Sequence, residues 1–237
     1  RQRQMCIRDR IYYANKLCKN GGAAIFANRT RSVQTIIQQI IDLDSREYDL
    51  SGIQKYSNTL EMSRIAKLMA DYYGCDHPYT KACNLGVAPH YSNLPNGLRL
   101  AIEYAFRKKD LHLVICTSTL AQGVNIPIKY LFMTSFMLDQ NSMKIRNFQN
   151  LMGRTARSGM YTEGSVIVTD SKLFDNKNNR SNGGFYKWEN CVKMFDSHAA
   201  EPCESSILWL VQDIEINHDD YCLLYTSPSP RDKRQSR

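Results

Sequence analysis

Two stretches of this chain carry residue types suited to chemistry on phosphate. The first is Gln149–Gly159, QNLMGRTARSG, with Arg154 and Arg157 three residues apart. A guanidinium is planar and permanently charged, and it pairs with phosphate oxygens through two parallel N–H bonds. Gly153 and Ala156 keep bulk away from the two arginines, and Gln149 precedes them by about a turn. Their spacing predicts that both lie on one face of a helical turn. The second stretch is Thr117–Pro127, TSTLAQGVNIP, where Thr117, Ser118 and Thr119 are followed by Gly123 and Asn125. Hydroxyls and open backbone N–H groups at a strand exit suit phosphate oxygens. Taken singly, each stretch also has an ordinary reading: arginines on helices are mostly solvated, and a threonine after a strand is a common helix cap.

The elements that must position these residues can be read from apolar patterning. Ala23–Ala27 reads as a strand that ends in the polar loop ANRTRS. Short apolar runs at LGVAPHYS, LHLVICTST, YLFMTSF and EGSVIVTD read as further strands. Between them, VQTIIQQIIDLD and NTLEMSRIAKLMADYYG have apolar residues at helical spacing, the second closed by Gly74. PNGLRLAIEYAFRKKD places Leu98, Ile102, Ala105 and Phe106 on one helical face. Strands alternating with helices predict an α/β domain with a parallel sheet covered on both faces. Ligands of such sheets bind at the carboxyl ends of strands. The loops after Ala27, Pro89 and Cys116 are therefore the places to look.

Composition bounds the partners. The chain has 237 residues and a formal net charge of +8, but residues 1–10 and 222–237 each carry a net +3, leaving about +2 elsewhere. The basicity belongs to the tails and says nothing about a nucleic-acid face. Met5–Asp9 and Cys222–Ser227 can be encoded by one DNA segment read on opposite strands, as translated sequencing adapter would be. Residues 1–10 and 222–237 are accordingly expected to be disordered tails, with the informative chain between them a fragment of something longer. No apolar run is long enough to span a bilayer and no secretory signal is present, so no membrane partner is expected. Of eight cysteines none forms a Cys-x-x-Cys pair. Cys75, His77 and Cys83 read as ordinary packing, no metal site is expected, and free thiols fit a reducing, cytoplasmic location.

In combination the motifs resemble the second RecA-like domain of superfamily 2 nucleic-acid helicases, over about Ala23–Asp170. AAIFANRTRSV is similar to motif IV. GVAPHYSNLPNGLRLAIEYAFRKKDLHLVICTSTLAQGVNIP resembles the strand, helix and motif V of the Ski-type, Lhr-type and related DExH group. QNLMGRTARSG is similar to motif VI. The resemblance implies ATP with Mg²⁺ as cofactor and DNA or RNA as partner. It implies that Arg154 and Arg157 reach the nucleotide phosphates across a cleft. Gln149, Gly153, Gly123 and Asn125 would face the same nucleotide. Thr117, Ser118 and Thr119 would touch the nucleic-acid backbone, with Asn28 and Arg29 beside them. His90, at the next strand exit, is a candidate for that group and equally a structural loop histidine.

The chain contains no Gly-x-x-x-x-Gly-Lys-Ser/Thr loop and no Asp-Glu-x-His strand. Those elements belong to a first RecA-like domain, a required partner expected to precede Ile11. The expectation is half of an ATP site, silent alone. Domain boundaries are set at 11–172 for the RecA-like domain and 173–221 for a linker and partial helical C-terminal extension. There FYKWENCVKMF reads as a helix, and Glu201-Pro202-Cys203-Glu204-Ser205 resembles the family's lead into a winged-helix region. An ATP-independent nucleic-acid-binding module on the same fold remains the alternative. A small-molecule Rossmann enzyme would need a Gly-rich turn after the first strand, which ANRTRS lacks.

Overall fold

The computed structural model describes residues 7–121, 126–138, 141–142, 145–155, 161–180 and 184–196. Its centre is a five-stranded parallel sheet ordered β2-β3-β1-β4-β7. The strands are β1 (Ala23–Phe26), β2 (Val87–His90), β3 (Leu113–Cys116), β4 (Tyr130–Met133) and β7 (Ser165–Val168). β5 (Met137–Leu138) and β6 (Asn141–Ser142) form a separate two-residue antiparallel pairing. Every residue of β1, β2 and β3 is buried. Because successive strand side chains point to opposite faces, full burial means that both faces of these strands are covered. β7, at one edge, is only partly buried.

The expected α/β, RecA-like sheet is therefore present, with all five strands where the apolar runs place them. Helix α2 (Thr30–Asp44) buries Val33, Ile36, Ile37, Ile40 and Leu43 at the spacing of one helical stripe. α4 (Thr59–Tyr73) is capped by Asn58, whose side-chain oxygen accepts from Leu60 N at 3.1 Å and Glu61 N at 3.3 Å. It stops at Gly74, whose φ of 96° a side chain would resist. α6 (Asn96–Lys108) buries Leu98, Ile102, Ala105 and Phe106. The Phe106 ring fills the space above Gly22, where an added Cβ would come within 2.5 Å of it.

Three helices were not foreseen. α1 (Ile7–Leu17) begins inside the stretch expected to be a tail. It packs Ile11 and Ala14 into the core, and Arg10 Nη2 donates to Thr169 O at 3.3 Å, so residues 7–10 are a folded part of the domain. The short helices α3 (Ser51–Tyr56) and α5 (Pro78–Asn84) fill out the layer beside α4, with Tyr79, Ala82 and Cys83 of α5 buried. α7 (Ile145–Met152), α8 (Ser171–Asp175) and α9 (Gly184–Phe195) complete the described chain. α9 is the helix expected at FYKWENCVKMF, and its Phe195 stacks edge-on against Phe148 of α7 at 4.9 Å between ring centroids. The expected extension beyond Asp196 and the tails 1–6 and 222–237 lie outside the described residues. Among the described residues no helix is long and apolar enough to cross a membrane.

Candidate nucleic-acid and nucleotide interfaces

The parallel register sets Phe26, His90, Cys116, Met133 and Val168 side by side at the carboxyl edge of the sheet. The loops carrying Asn28, Arg29 and Thr117 thus open on one edge, as expected. Asn28 is half-buried and its Oδ1 accepts from Ser32 Oγ at 3.0 Å, bracing the first turn of α2, while Arg29 is exposed. Thr117 prolongs the ladder: its N–H donates to His90 O at 3.1 Å, and beside it Ala27 N donates to Cys116 O at 2.7 Å. Thr117 is mostly buried and Ser118 half-buried, opening a single 3-10 turn, Ser118–Ala121, that also contains Thr119.

His90 is a correction. It is fully buried, its Nε2 lies 2.9 Å from Glu103 Oε1 of α6, and it offers no surface to a polynucleotide. Burial pushes its pKa below the ordinary value, with Glu103 opposing the shift and Arg99 adding to it. The neutral ring therefore donates through Nε2 to the Glu103 carboxylate and leaves a buried Nδ1 without a partner. Arg99 Nε lies 3.9 Å from the same carboxylate oxygen. His90 ties β2 to α6 and thereby sets the loop that follows. Glu103 and Arg99, one helical turn apart in LRLAIE, went unassigned as a pair. Their i, i+4 spacing was the available signal.

At the opposite, amino edge the chain arrives with Ile126–Tyr130. Lys129 N and Tyr130 N both donate to Gly22 O, at 2.8 and 3.2 Å, just ahead of β1. Four-residue strands make the sheet about 13 Å deep between the two edges. Thr117 stands at the carboxyl end of that depth and Ile126–Ile128 at the other, with residues 122–125 outside the described residues. At its far end Ile128 N donates to Arg154 O at 3.1 Å, and Ile128 forms a parallel bridge with Thr155.

This bridge sets the backbone at Arg154. α7 ends at Met152, Gly153 N closes the last turn on Gln149 O at 2.8 Å, and the chain then leaves the helix to meet Ile128. Arg154 is half-buried on a turn outside α7. Gly153 is exposed, and a Cβ there would press on Gln149 O at 3.3 Å. Gln149 itself is half-buried on α7, whose Phe148 and Leu151 anchor the helix in the core. Arg157, Gly123 and Asn125 lie outside the described residues. Tyr161, which no motif marked, returns the chain to the amino edge: its Oη accepts from Gly22 N at 3.1 Å, and Lys109 and Lys129 place their ammonium groups 5.5 and 5.7 Å from its ring. No group of His, Cys, Asp and Glu suited to a metal exists among the described residues.

A parallel sheet with its loops so divided defines an α/β RecA-like domain, and comparison with known proteins narrows the class. Residues 50–159 match the family described as helicase conserved C-terminal domain. Helicase POLQ-like of Homo sapiens is 34% identical over 164 residues, which is 68% of this chain and 14% of that protein. ATP-dependent DNA helicase Hel308 of Methanocella arvoryzae is 25% identical over 167 residues, 65% of this chain and 21% of that protein. Hachiman protein HamB of Bacillus cereus is 25% identical over 216 residues, 90% of this chain and 18% of that protein. The chain thus spans about a fifth or less of each of these relatives. Fold and matches together support a superfamily 2 helicase C-terminal domain.

Proposed function

We propose that this chain is the second RecA-like half of an ATP-dependent DNA helicase or translocase of the DExH group that includes the Ski-type and Lhr-type enzymes. DNA is favoured over RNA by the name that Hel308 carries. In this reading Arg154 and Arg157 neutralise charge that develops on the transferring γ-phosphoryl group. Gln149, Gly153, Gly123 and Asn125 border the nucleotide. Asn28, Arg29, Thr117, Ser118 and Thr119 meet the DNA backbone at the carboxyl edge. ATP and Mg²⁺ would be held mainly by the first RecA-like domain, which brings the phosphate loop. The arginines here would then complete the site by supplying electrostatic stabilisation from a movable partner.

The observation that carries this reading is the single segment from Thr117 to Ile128. Its start is bonded to the carboxyl-edge strand end through His90 O, and its end is bonded to the arginine turn through Arg154 O. A shift imposed on one edge by DNA has a covalent path to the arginine turn on the other. In steady-state ATPase assays on the full-length protein, Arg154→Ala and Arg157→Ala should each lower DNA-stimulated turnover by at least about 10²-fold, with ATP binding falling far less. Thr117→Ala should weaken stimulation while leaving basal hydrolysis near normal. Near-wild-type stimulated turnover in both arginine variants overturns the assignment. The 237-residue chain alone should hydrolyse no ATP above background.

A further inference from the structure

Three stretches of backbone meet at the amino edge of the sheet, and Gly22 is the residue they share. Gly22 is buried. Its carbonyl accepts from Lys129 N at 2.8 Å and Tyr130 N at 3.2 Å, and its N–H donates to Tyr161 Oη at 3.1 Å. The carbonyl of Lys129 in turn accepts from Ser165 N at 2.8 Å, and the neighbouring Ile128 N donates to Arg154 O at 3.1 Å. The chain from Arg154 to Ser165 therefore starts and ends on two adjacent residues, Ile128 and Lys129, and Tyr161 fastens it at a third point. Residues 156–160 lie outside the described residues.

The place of the Tyr161 hydroxyl is set from several sides. Gly21 leaves room for it: a Cβ there would come within 2.9 Å of Tyr161 Oη and of Lys129 Cδ. The half-buried ring has the ammonium groups of Lys109, just past α6, and Lys129 at 5.5 and 5.7 Å from its centroid, within cation–π range. The next amide along, Ala23 N, already belongs to the ladder region and donates to His112 O at 2.8 Å. The Gly22 N–H lies one residue ahead of β1, and Tyr161 is its acceptor. A buried backbone N–H that loses its acceptor is destabilising, so the surrounding backbone moves to find another. The readiest movement is of the Gly22 peptide itself, whose carbonyl holds Lys129 and Tyr130. From Lys129 that movement passes across one peptide bond to Ile128, and Ile128 N holds the Arg154 carbonyl.

We infer that Tyr161 is a positioning residue for Arg154: its hydroxyl fixes the Gly22 peptide and, through Lys129 and Ile128, the turn that carries the guanidinium. The inference rests on the proposed phosphate role of Arg154. The test is a double-mutant cycle in the full-length protein, read by DNA-stimulated steady-state ATPase. Tyr161→Phe keeps the ring and removes only the acceptor. It should lower kcat by about tenfold and change the KM for ATP by less than about twofold, because misplacing a charge-stabilising group is felt mainly in the transition state. In the Arg154→Ala background the same substitution should change kcat by less than about twofold. A tenfold loss that persists in that background overturns the inference, since Tyr161 then acts independently of Arg154. Wild-type kcat in Tyr161→Phe, alongside an impaired Arg154→Ala, also overturns it and leaves the Arg154 reading standing. Near-wild-type turnover in Arg154→Ala overturns both. Amide exchange in the wild-type 237-residue chain needs no variant. Gly22 N–H should exchange at least about 10²-fold more slowly than the N–H of the exposed Gly97. Equal rates would show that the Tyr161–Gly22 bond is not made, and the inference would fall.

Discussion

The Glu103 carboxylate has a histidine and an arginine within reach, and only the arginine carries a lasting charge. His90 is a neutral donor held in a desolvated site, which gives the fold a defined acid sensitivity. Its folded pKa lies below the ordinary value of about 6.5. Above that pH neither state binds the proton and His90 contributes its full stabilisation. As pH falls below about 6.5 the unfolded chain takes up a proton that the folded chain refuses, and stability declines until the depressed folded pKa is reached. The slope has a limit of about 1.4 kcal/mol per pH unit for one group. His77 and His112 are lowered by burial too and act in the same direction. His90→Gln keeps a donor for Glu103 and loses the titration. The thermal midpoint of this variant should fall less between pH 6.5 and 5 than that of the wild type; identical slopes would show that His90 does not set the acid limb.

Among the elements, α7 depends most on its inner face. Phe148 is fully buried and meets Phe136 and Phe195 edge-on at centroid distances of 5.5 and 4.9 Å. Phe148→Ala should cost about 3–5 kcal/mol in urea unfolding of the chain, because the ring leaves a cavity that α9 and the Phe136 loop cannot both close. A loss under about 1 kcal/mol would show that α9 does not share this core. The five strands were legible because each is a short, nearly continuous apolar run. α5 was missed although His77-Pro78 is a legible start, a capping side chain followed by proline at the first helical position. α1 was missed because its first residues were read as part of a tail, although Ile11, Ala14 and Cys18 follow a helical stripe. Arg154 stands outside α7 because Gly153 closes the helix on Gln149 O and the Ile128 backbone takes up the turn that follows, a long-range contact that local spacing does not carry. The burial of His90 was beyond a local reading: its partner Glu103 stands thirteen residues away across a turn and a helix.

For the whole molecule, burial sorts the thiols. Cys18, Cys83 and Cys116 are pushed up to about 12 by desolvation, and Cys191 to about 11. Cys75 is exposed. Because the thiolate is the reactive form, brief iodoacetamide treatment of the native chain should label Cys75 and spare these four, as read by peptide mass mapping. Labelling of Cys116 at a comparable rate would mean that the central strands open far more readily than their packing implies. The sheet that protects these thiols ends in two unlike margins. In β2 the carbonyl of His90 faces β3, so by alternation Pro89 faces outward, at a position where a missing N–H costs no ladder bond. That outer row lacks a donor that an incoming strand would need. β7 has no such interruption, and Val168 on it is 37% exposed. Any growth of this sheet by strand addition, whether orderly assembly or aggregation, is therefore directed to the β7 side, and the β2 side is closed to it by a single residue.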